Sequence, residues 1–353
     1  MANTEYYYVT PTGSDTAGQG RSWGTAYATL QFAVDDIWAS HTPEARNVIY
    51  CAGDFSISTP LNYQTLFPVP SLSKRLLFIG RGKDAVDDGQ RTAITADDNI
   101  YYDTVSDYVF WFGFHFKWGQ VTSTNKCFRV DRGCEWHDCV WDGEGTNTQS
   151  AYQGVYNNQF HRCQFLNMYL SPGNMSIGGI VNYSFCQMAS GRSGGFGSYR
   201  NGGVTNCTIL TTGNGINCQA GAYAENNTVI QTGGTLTSQG IQCNSESAYV
   251  SNNYVEGFNT AINISNGTPI LENNFYYNCN NGTSYSYAVD EIDYGTRTRP
   301  TIELSQSLYT DPQNLDFSLN YGSTVLQPWA NYQYPGAVAL LNKIAAVPTR
   351  VRG

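Results

Sequence analysis

The sequence predicts an all-β fold, a right-handed parallel β-helix of about ten coils with an N-terminal capping helix and a C-terminal helical tail. The main observation is a repeat of small or amide residues at intervals of 20 to 26 positions: Cys139, Cys163, Cys186, Cys207, Asn227, Asn253 and Asn274. An apolar residue stands three positions before each, from Trp136 to Leu271, and another two positions after, from Trp141 to Tyr276. Such a period indicates a solenoid whose coils bury their apolar side chains against one another.

A second repeat indicates equivalent strands in consecutive coils, with Gly-Ile-Asn-Cys at 215–218, Gly-Ile-Gln-Cys at 240–243 and Ala-Ile-Asn-Ile at 261–264. Because strand side chains alternate between faces, Ile216, Ile241 and Ile262 are expected to point inward. The outward positions then carry amide and hydroxyl groups without carboxylates: Asn217, Gln219, Gln242, Asn244, Asn263 and Ser265.

The repeat also predicts the chemistry of the ladder positions. Asparagine suits a turn because it tolerates left-handed backbone, and stacked amides gain hydrogen bonds along the ladder. Cysteine fits the same position as a small, polarizable group. Six of the ten cysteines occupy repeat positions, so we expect buried, reduced thiols rather than disulfides.

The chain is expected to have three parts. Residues 1–45 form an entry strand and a capping helix, residues 46–305 the β-helix, and residues 306–353 a closing segment and tail. Thr29 is a candidate cap for the first helix, whose apolar face is Leu30, Ala33, Val34, Ile37 and Trp38. Residues 141–156 are expected to form a loop at a coil edge, and residues 335–345 a helix followed by a basic tail.

Two terminal segments carry a family resemblance. Residues 7–15 (YYVTPTGSD) and 23–30 (WGTAYATL), followed by Ala33 and Val34, resemble the entry module of right-handed β-helix proteins of the pectate-lyase-like superfamily. Residues 309–313 (YTDPQ) and 316–319 (DFSL) are similar to the usual closing segment of these proteins. The resemblance implies the fold more strongly than an activity, because the superfamily includes lyases, hydrolases, epimerases, phage spikes and structural coils.

Charge and composition exclude some function classes. The formal net charge of −9 and the pI near 4.9 argue against nucleic-acid binding. No apolar stretch is long enough for a membrane span, and the N-terminus lacks the pattern of a signal peptide. The expected location is therefore a virion or the extracellular space, reached without a signal in this chain or after removal of one.

The candidate site residues cluster before and within the early coils of the repeat. If the chain is an enzyme, the resemblance implies an arginine base near carboxylates, and Ca²⁺ is expected as a cofactor only for a lyase. Otherwise no cofactor or metal is expected. The candidates are Arg129, Asp131, Arg132, Asp138, Arg162 and Arg200. The same residues also fit a solvated face of mutually paired charges.

Three functions fit the sequence. The favoured hypothesis is a structural or adhesive virion protein, such as a phage tail or head-decorating protein, with other virion subunits or copies of itself as partners. The alternative is a polysaccharide lyase or glycoside hydrolase that acts on an anionic glycan. The third is a binder of surface polysaccharide without catalysis. Scarce carboxylates and the amide-rich exterior favour the first.

Overall fold

The computed structural model describes residues 4–40, 46–57, 76–81, 92–96, 102–104, 109–118, 126–132, 134–142, 150–156, 158–166, 173–175, 181–191, 195–198, 201–233, 238–244, 247–285, 301–312 and 316–319. The chain divides into two compact units, Met1–Asn182 and Tyr183–Gly353. Each unit is a parallel β-solenoid with three sheets, which confirms the predicted fold class.

The first unit contains helix α1 (Leu30–Ser40), a 3₁₀ turn at Trp23–Thr25 and strands β1 to β15. The strands are β1 Thr4–Val9, β2 Arg46–Cys51, β3 Asp54–Ile57, β4 Leu76–Ile79, β5 Ala93–Ala96, β6 Tyr102–Thr104, β7 Val109–Phe112, β8 His115–Trp118, β9 Lys126–Arg132, β10 Glu135–His137, β11 Val140–Asp142, β12 Ser150–Tyr156, β13 Asn158–His161, β14 Gln164–Leu166 and β15 Gly173–Met175. Strand β16 (Val181–Ser184) lies at the boundary between the units.

Each coil passes through the three sheets in turn. In the first unit the first sheet has the order β1-β2-β4-β7-β10-β13, the second β3-β5-β8-β11-β14 and the third β6-β9-β12-β15. Neighbouring strands are parallel and stay in register, so residues at equivalent positions stack. Residues 141–156, expected as a loop, instead supply β12 of the third sheet, which shows that the loop prediction was wrong for Ser150–Tyr156.

Aromatic stacking fills the core of the first unit. Trp136 and Phe160, three positions before the ladder, are fully buried with ring centroids 4.5 Å apart. Phe78 and Trp111 stack in the same way at 4.2 Å in earlier coils. Parallel strands are spaced by about 4.8 Å, so a repeated inward ring meets its equivalent in the next coil.

The second unit contains strands β17 to β33. They are β17 Gln187–Gly191, β18 Phe196–Ser198, β19 Gly203–Thr205, β20 Thr208–Thr211, β21 Ile216–Cys218, β22 Tyr223–Glu225, β23 Thr228–Gln231, β24 Gln239–Cys243, β25 Tyr249–Ser251, β26 Tyr254–Glu256, β27 Thr260–Ile264, β28 Ile270–Glu272, β29 Phe275–Tyr277, β30 Asn281–Tyr285, β31 Ile302–Glu303, β32 Tyr309–Asp311 and β33 Asp316–Leu319. The first sheet has the order β19-β22-β25-β28, the second β17-β20-β23-β26-β29-β31 and the third β18-β21-β24-β27-β30.

The predicted ladder is present within each unit, at the turn between the first and second sheets. The residue before each ladder position has a positive φ of 52 to 56°, and these residues are Asp138, Arg162, Phe185, Asn206, Asn226, Asn252 and Asn273. The left-handed conformation therefore belongs to this preceding residue, where asparagine is favoured. The ladder residue itself contributes its side chain.

Cysteine and asparagine occupy the ladder in the same way. The Asn253 amide nitrogen donates to the carbonyl oxygen of Ala224 at 2.9 Å. The Cys163 thiol donates to the equivalent carbonyl of Trp136, at 3.3 Å. Nine cysteines of the described part of the chain are free thiols, and eight of them are buried. Burial raises the pKa of the Cys139 thiol well above its usual range, which disfavours the reactive thiolate.

The ends of the chain differ in how much is described. Thr29 caps α1, since its hydroxyl accepts a hydrogen bond from the Phe32 backbone nitrogen at 3.2 Å. In the second unit Leu308 and Tyr309 pack on Ile230 and other apolar residues of the outer face of the second sheet. The helix predicted at residues 335–345 and the basic tail lie outside the described residues. Within the described residues no helix is long and apolar enough to cross a membrane.

Candidate functional site

Two adjacent strands of the first sheet bring titratable side chains together in the first unit. Trp136 and Phe160 point into the core, so the residues that alternate with them on β10 and β13 face outward. Glu135 pairs in register with Gln159, and His137 pairs with His161. We call this surface, with the adjoining turn residues, the histidine face: Glu135, His137, Asp138, Gln159, His161 and Arg162.

The two imidazole rings of the histidine face stack on one another. The centroids of His137 and His161 are 4.7 Å apart with 21° between the ring planes. Phe112, in the preceding coil, stacks on the other side of His137 at 4.7 Å and 11°. His137 thus has a ring on each side, whereas His161 stacks on His137, and each ring repeats the position of the one in the coil before it.

Each imidazole also contacts an oxygen on its own strand. His137 Nε2 lies 3.0 Å from Glu135 Oε2, and His161 Nε2 lies 3.2 Å from Gln159 Oε1. A carboxylate beside an imidazole orients the ring and fixes which of its nitrogen atoms carries the proton. Burial, followed by the charge of His137, lowers the pKa of His161. The pair therefore combines one ring supported by a carboxylate with a neighbour that favours the neutral state.

An ion pair lies at the turn that follows these strands. Arg162 Nε and Nη2 donate to the two carboxylate oxygens of Asp138 at 2.8 and 2.7 Å. Both residues occupy the left-handed turn position, and the Arg162 side chain is 51% exposed. An exposed pair of this kind adds little to stability. Its bidentate geometry instead fixes the guanidinium beside the histidines.

The other predicted site residues lie elsewhere. The backbones of Arg129, Asp131 and Arg132 belong to β9 in the third sheet. Arg129 pairs in register with Asp103 and with Gln153, so the predicted stacking of Arg129 on neighbouring coils is present at the level of the backbone. The structure thus brings Asp138 and Arg162 together and assigns the β9 residues to a different sheet. Arg200 lies outside the described residues.

The second unit has a different set of outward groups. Tyr223 and Tyr249 are in register on the first sheet, with Glu225 in the same strand as Tyr223. The Tyr249 hydroxyl donates to Glu272 at 3.1 Å, and burial raises the pKa of Glu225. The sequence analysis missed these glutamates because it considered only the outward positions of the strands that form the third sheet. Their position two residues before the asparagine ladder was the available signal.

The third sheet of the second unit carries the predicted amide surface. Asn217, Gln242, Asn263 and Ser284 are in register on successive strands. Asn263 is buried, and it accepts a hydrogen bond from the Ser284 hydroxyl at 3.0 Å. In the part of the chain that the structure describes, no group of three or more histidine, cysteine, aspartate or glutamate side chains is arranged to hold a metal ion.

Comparisons with known proteins found distant structural similarity. Neither a protein-family model nor a curated protein matches the sequence. A rhamnogalacturonan lyase matches with 14% identity and a TM-score of 0.47, over 78% of this chain and 74% of that one. The PL6 family polysaccharide lyase Pedsa3628 from Pseudopedobacter saltans matches with 11% identity and a TM-score of 0.45, over 87% and 89% of the two chains.

A third match is the pectin methylesterase from Aspergillus niger, with 15% identity and a TM-score of 0.39, over 89% of this chain and 95% of that one. Similarity at this level does not extend to activity. The function has to be argued from the residues of this chain.

Proposed function

We propose that the chain binds an acidic polysaccharide at the histidine face and cleaves it by β-elimination. The observation that carries the proposal is the stacked pair His137–His161, with Glu135 behind one ring and Arg162 at the adjoining turn. Imidazoles titrate near neutral pH and are the side chains most often used for proton transfer. A purely structural coil surface has no need of two half-buried titratable rings in register.

Elimination at a uronate needs a group that accepts the proton next to the carboxyl group. His137 is assigned as this base, because the Glu135 carboxylate, 3.0 Å from one ring nitrogen, orients the imidazole. The C5–H electron pair becomes the C4–C5 double bond while the C4–O bond breaks. The leaving oxygen then takes the proton from the imidazolium, which restores the neutral ring.

Arg162 is assigned to the substrate carboxylate. Proton loss from C5 builds negative charge on the adjacent carboxyl group, and a fixed guanidinium stabilises that charge. Asp138 keeps Arg162 in one orientation, through the bidentate contact at 2.7 and 2.8 Å. The net charge of −9 disfavours an anionic partner over most of the surface, and Arg162 is the permanently cationic side chain of the histidine face that can contact a substrate carboxylate.

The virion role predicted from the sequence is not carried forward. Neither the described residues nor the reported matches support a phage or virion assignment. The polysaccharide alternative accounts for the histidine face, which the virion hypothesis leaves without a role.

The test follows the absorbance of unsaturated uronate on pectate, alginate and chondroitin, with calcium and with a chelator. His137→Phe keeps a ring in the stack but removes the base, and we expect a loss of kcat of about 100-fold or more. His115→Phe is the matched control, because His115 lies on the second sheet, 3.9 Å from Asp142. Wild-type protein that releases no unsaturated product from any of the polymers would overturn the proposal, as would equal effects of the two variants.

The acid limb of the pH profile gives a second readout. Cleavage requires a neutral imidazole, so activity should fall as acid protonates the pair. Burial lowers the pKa of His161 below its ordinary value, so the ring that stacks on the assigned base favours the neutral state. Arg162→Ala should raise KM, because the variant lacks the guanidinium assigned to the substrate carboxylate.

A further inference from the structure

One outward column of the first sheet runs from the first strand of the first unit to the histidine face. The residues paired in register on successive strands are Tyr8, Tyr50, Ile79, Phe112, His137 and His161. All of them are half-buried, and five carry rings. The column therefore offers a continuous apolar track that leads up to the proposed base.

At its N-terminal end the column widens into a cluster of rings, which we call the aromatic corner: Tyr6, Tyr8, Trp23 and Tyr50. Tyr50 stacks on Tyr8 with centroids 5.5 Å apart and on Tyr6 at 6.2 Å. Trp23 packs against Tyr8 at 4.9 Å in an edge-to-face arrangement. Tyr6 is 48% exposed and Trp23 is 49% exposed, so both rings present surface to solvent.

Charged groups lie at the same end of the sheet. Arg21 donates to Glu5 at 2.9 Å, and its guanidinium lies 4.2 Å from the centroid of the Tyr7 ring. The Arg21 side chain is 51% exposed. Arg21 and Glu5 thus lie with the buried Tyr7 ring, whereas the aromatic corner lies on the opposite face of the strand. Ring faces that present surface to solvent are typical of sites for ligands that are apolar on one side and hydroxylated at the rim. A pyranose ring has that character.

We infer that the aromatic corner is a distal subsite for the same acidic polysaccharide, which lies along the column parallel to the axis of the coils. This inference rests on the proposed function of the histidine face. Strands follow one another at about 4.8 Å, so four steps from Tyr8 to His137 span about 19 Å. Each step is close to the length of one sugar unit in an extended chain. A glycan of several units therefore reaches from the base to Trp23.

Chain length is the variable that tests the inference. Binding is measured by calorimetry in the His137→Phe background, so that turnover does not interfere. The ligands are size-fractionated oligomers of the polymer that the wild type cleaves, or of pectate where none is cleaved. We expect Trp23→Ala to weaken binding of long oligomers by about fivefold to tenfold and to leave the shortest binding oligomers unchanged. Trp23→Phe, which keeps a ring, should recover most of the affinity.

Phe185→Ala is the matched control, since Phe185 is an exposed ring of the second unit, 37% accessible. Equal affinity of Trp23→Ala and the wild type at every length would overturn the inference. The inference would also be overturned if Trp23→Ala changed only the sedimentation coefficient of the protein, because the aromatic corner would then be a contact between copies of the chain. Trp23-dependent binding without any product release would keep the subsite and reject the elimination.

Discussion

The asparagine ladder of the second unit gives the sharpest prediction of stability. Asn253 is fully buried and makes hydrogen bonds in both directions along the ladder. Its amide nitrogen donates to Ala224 O and to Asn274 Oδ1, each at 2.9 Å. Its Oδ1 accepts from the backbone nitrogen of Asn227 at 3.0 Å and from the Asn227 amide at 2.9 Å.

Asn253→Ala removes all of these contacts and leaves a cavity. A net hydrogen bond contributes about 1 kcal/mol, and a buried donor without an acceptor costs about 1–3 kcal/mol. The Asn227 backbone N–H loses the acceptor that Asn253 supplies. We therefore expect the free energy of unfolding to fall by about 3–5 kcal/mol. Asn253→Cys should cost about half as much, because a thiol fills the space and can donate to Ala224 O as Cys163 does to Trp136 O.

Urea unfolding with separate fits of midpoint and slope measures the change, since a solenoid need not unfold as one cooperative unit. Hydrogen exchange at the Asn227 amide gives a local readout. Asn280→Ala is the matched control, because Asn280 is exposed and bonds to Asn259 at 3.0 Å. A decrease in the free energy of unfolding below about 1 kcal/mol for Asn253→Ala, or equal decreases for the two variants, would refute the contribution assigned to the ladder hydrogen bonds.

Two further predictions concern packing and pH. A Cβ atom on Gly215 would lie 2.2 Å from Gly240 O, so we expect Gly215→Ala to lower the free energy of unfolding by about 1–3 kcal/mol in the same urea assay. Gly24→Ala is the control, because its Cβ would meet only Ser22 Oγ at 3.9 Å, and it should change the free energy by less than about 0.5 kcal/mol. Burial raises the pKa of Glu256, so the folded protein holds a proton on this carboxyl group more tightly than the unfolded chain does. The stability that this proton contributes is lost as pH rises from the unfolded pKa through the folded pKa. The unfolding free energy of the wild type relative to Glu256→Gln should therefore fall as pH rises above about 4.5, and a constant difference would contradict this assignment.

Sequence reasoning succeeded where stacking restricts the residue type. Ile216 and Ile241 pair in register and are fully buried, as their alternation predicts. Inward positions must be filled in every coil, so the same residue classes recur and the period is visible. The early coils lack the ladder motif, and the register that joins Tyr8 to Phe112 could not be read from the sequence.

The histidine face was only partly predictable. The sequence analysis identified Asp138 and Arg162 as candidates, whereas His137 and His161 were not among them. Both histidines stand two positions before a ladder cysteine, which is a signal of stacking that the sequence does contain. Their contact with Glu135 and Gln159 depends on side-chain conformation, which spacing alone does not determine.

The outward columns of the two units differ in chemistry, and this difference favours the first unit as the place of the proposed activity. In the third sheet of the second unit the amides bond to one another, as Asn244 does to Asn217 at 2.8 Å, so their hydrogen-bonding capacity stabilises the coil stack. The column of the first unit stacks through ring faces and ends in two imidazoles beside the Arg162–Asp138 ion pair. Ring stacking holds the imidazoles, and Asp138 holds the guanidinium. Proton transfer and recognition of charge are therefore assigned to the first sheet of the first unit.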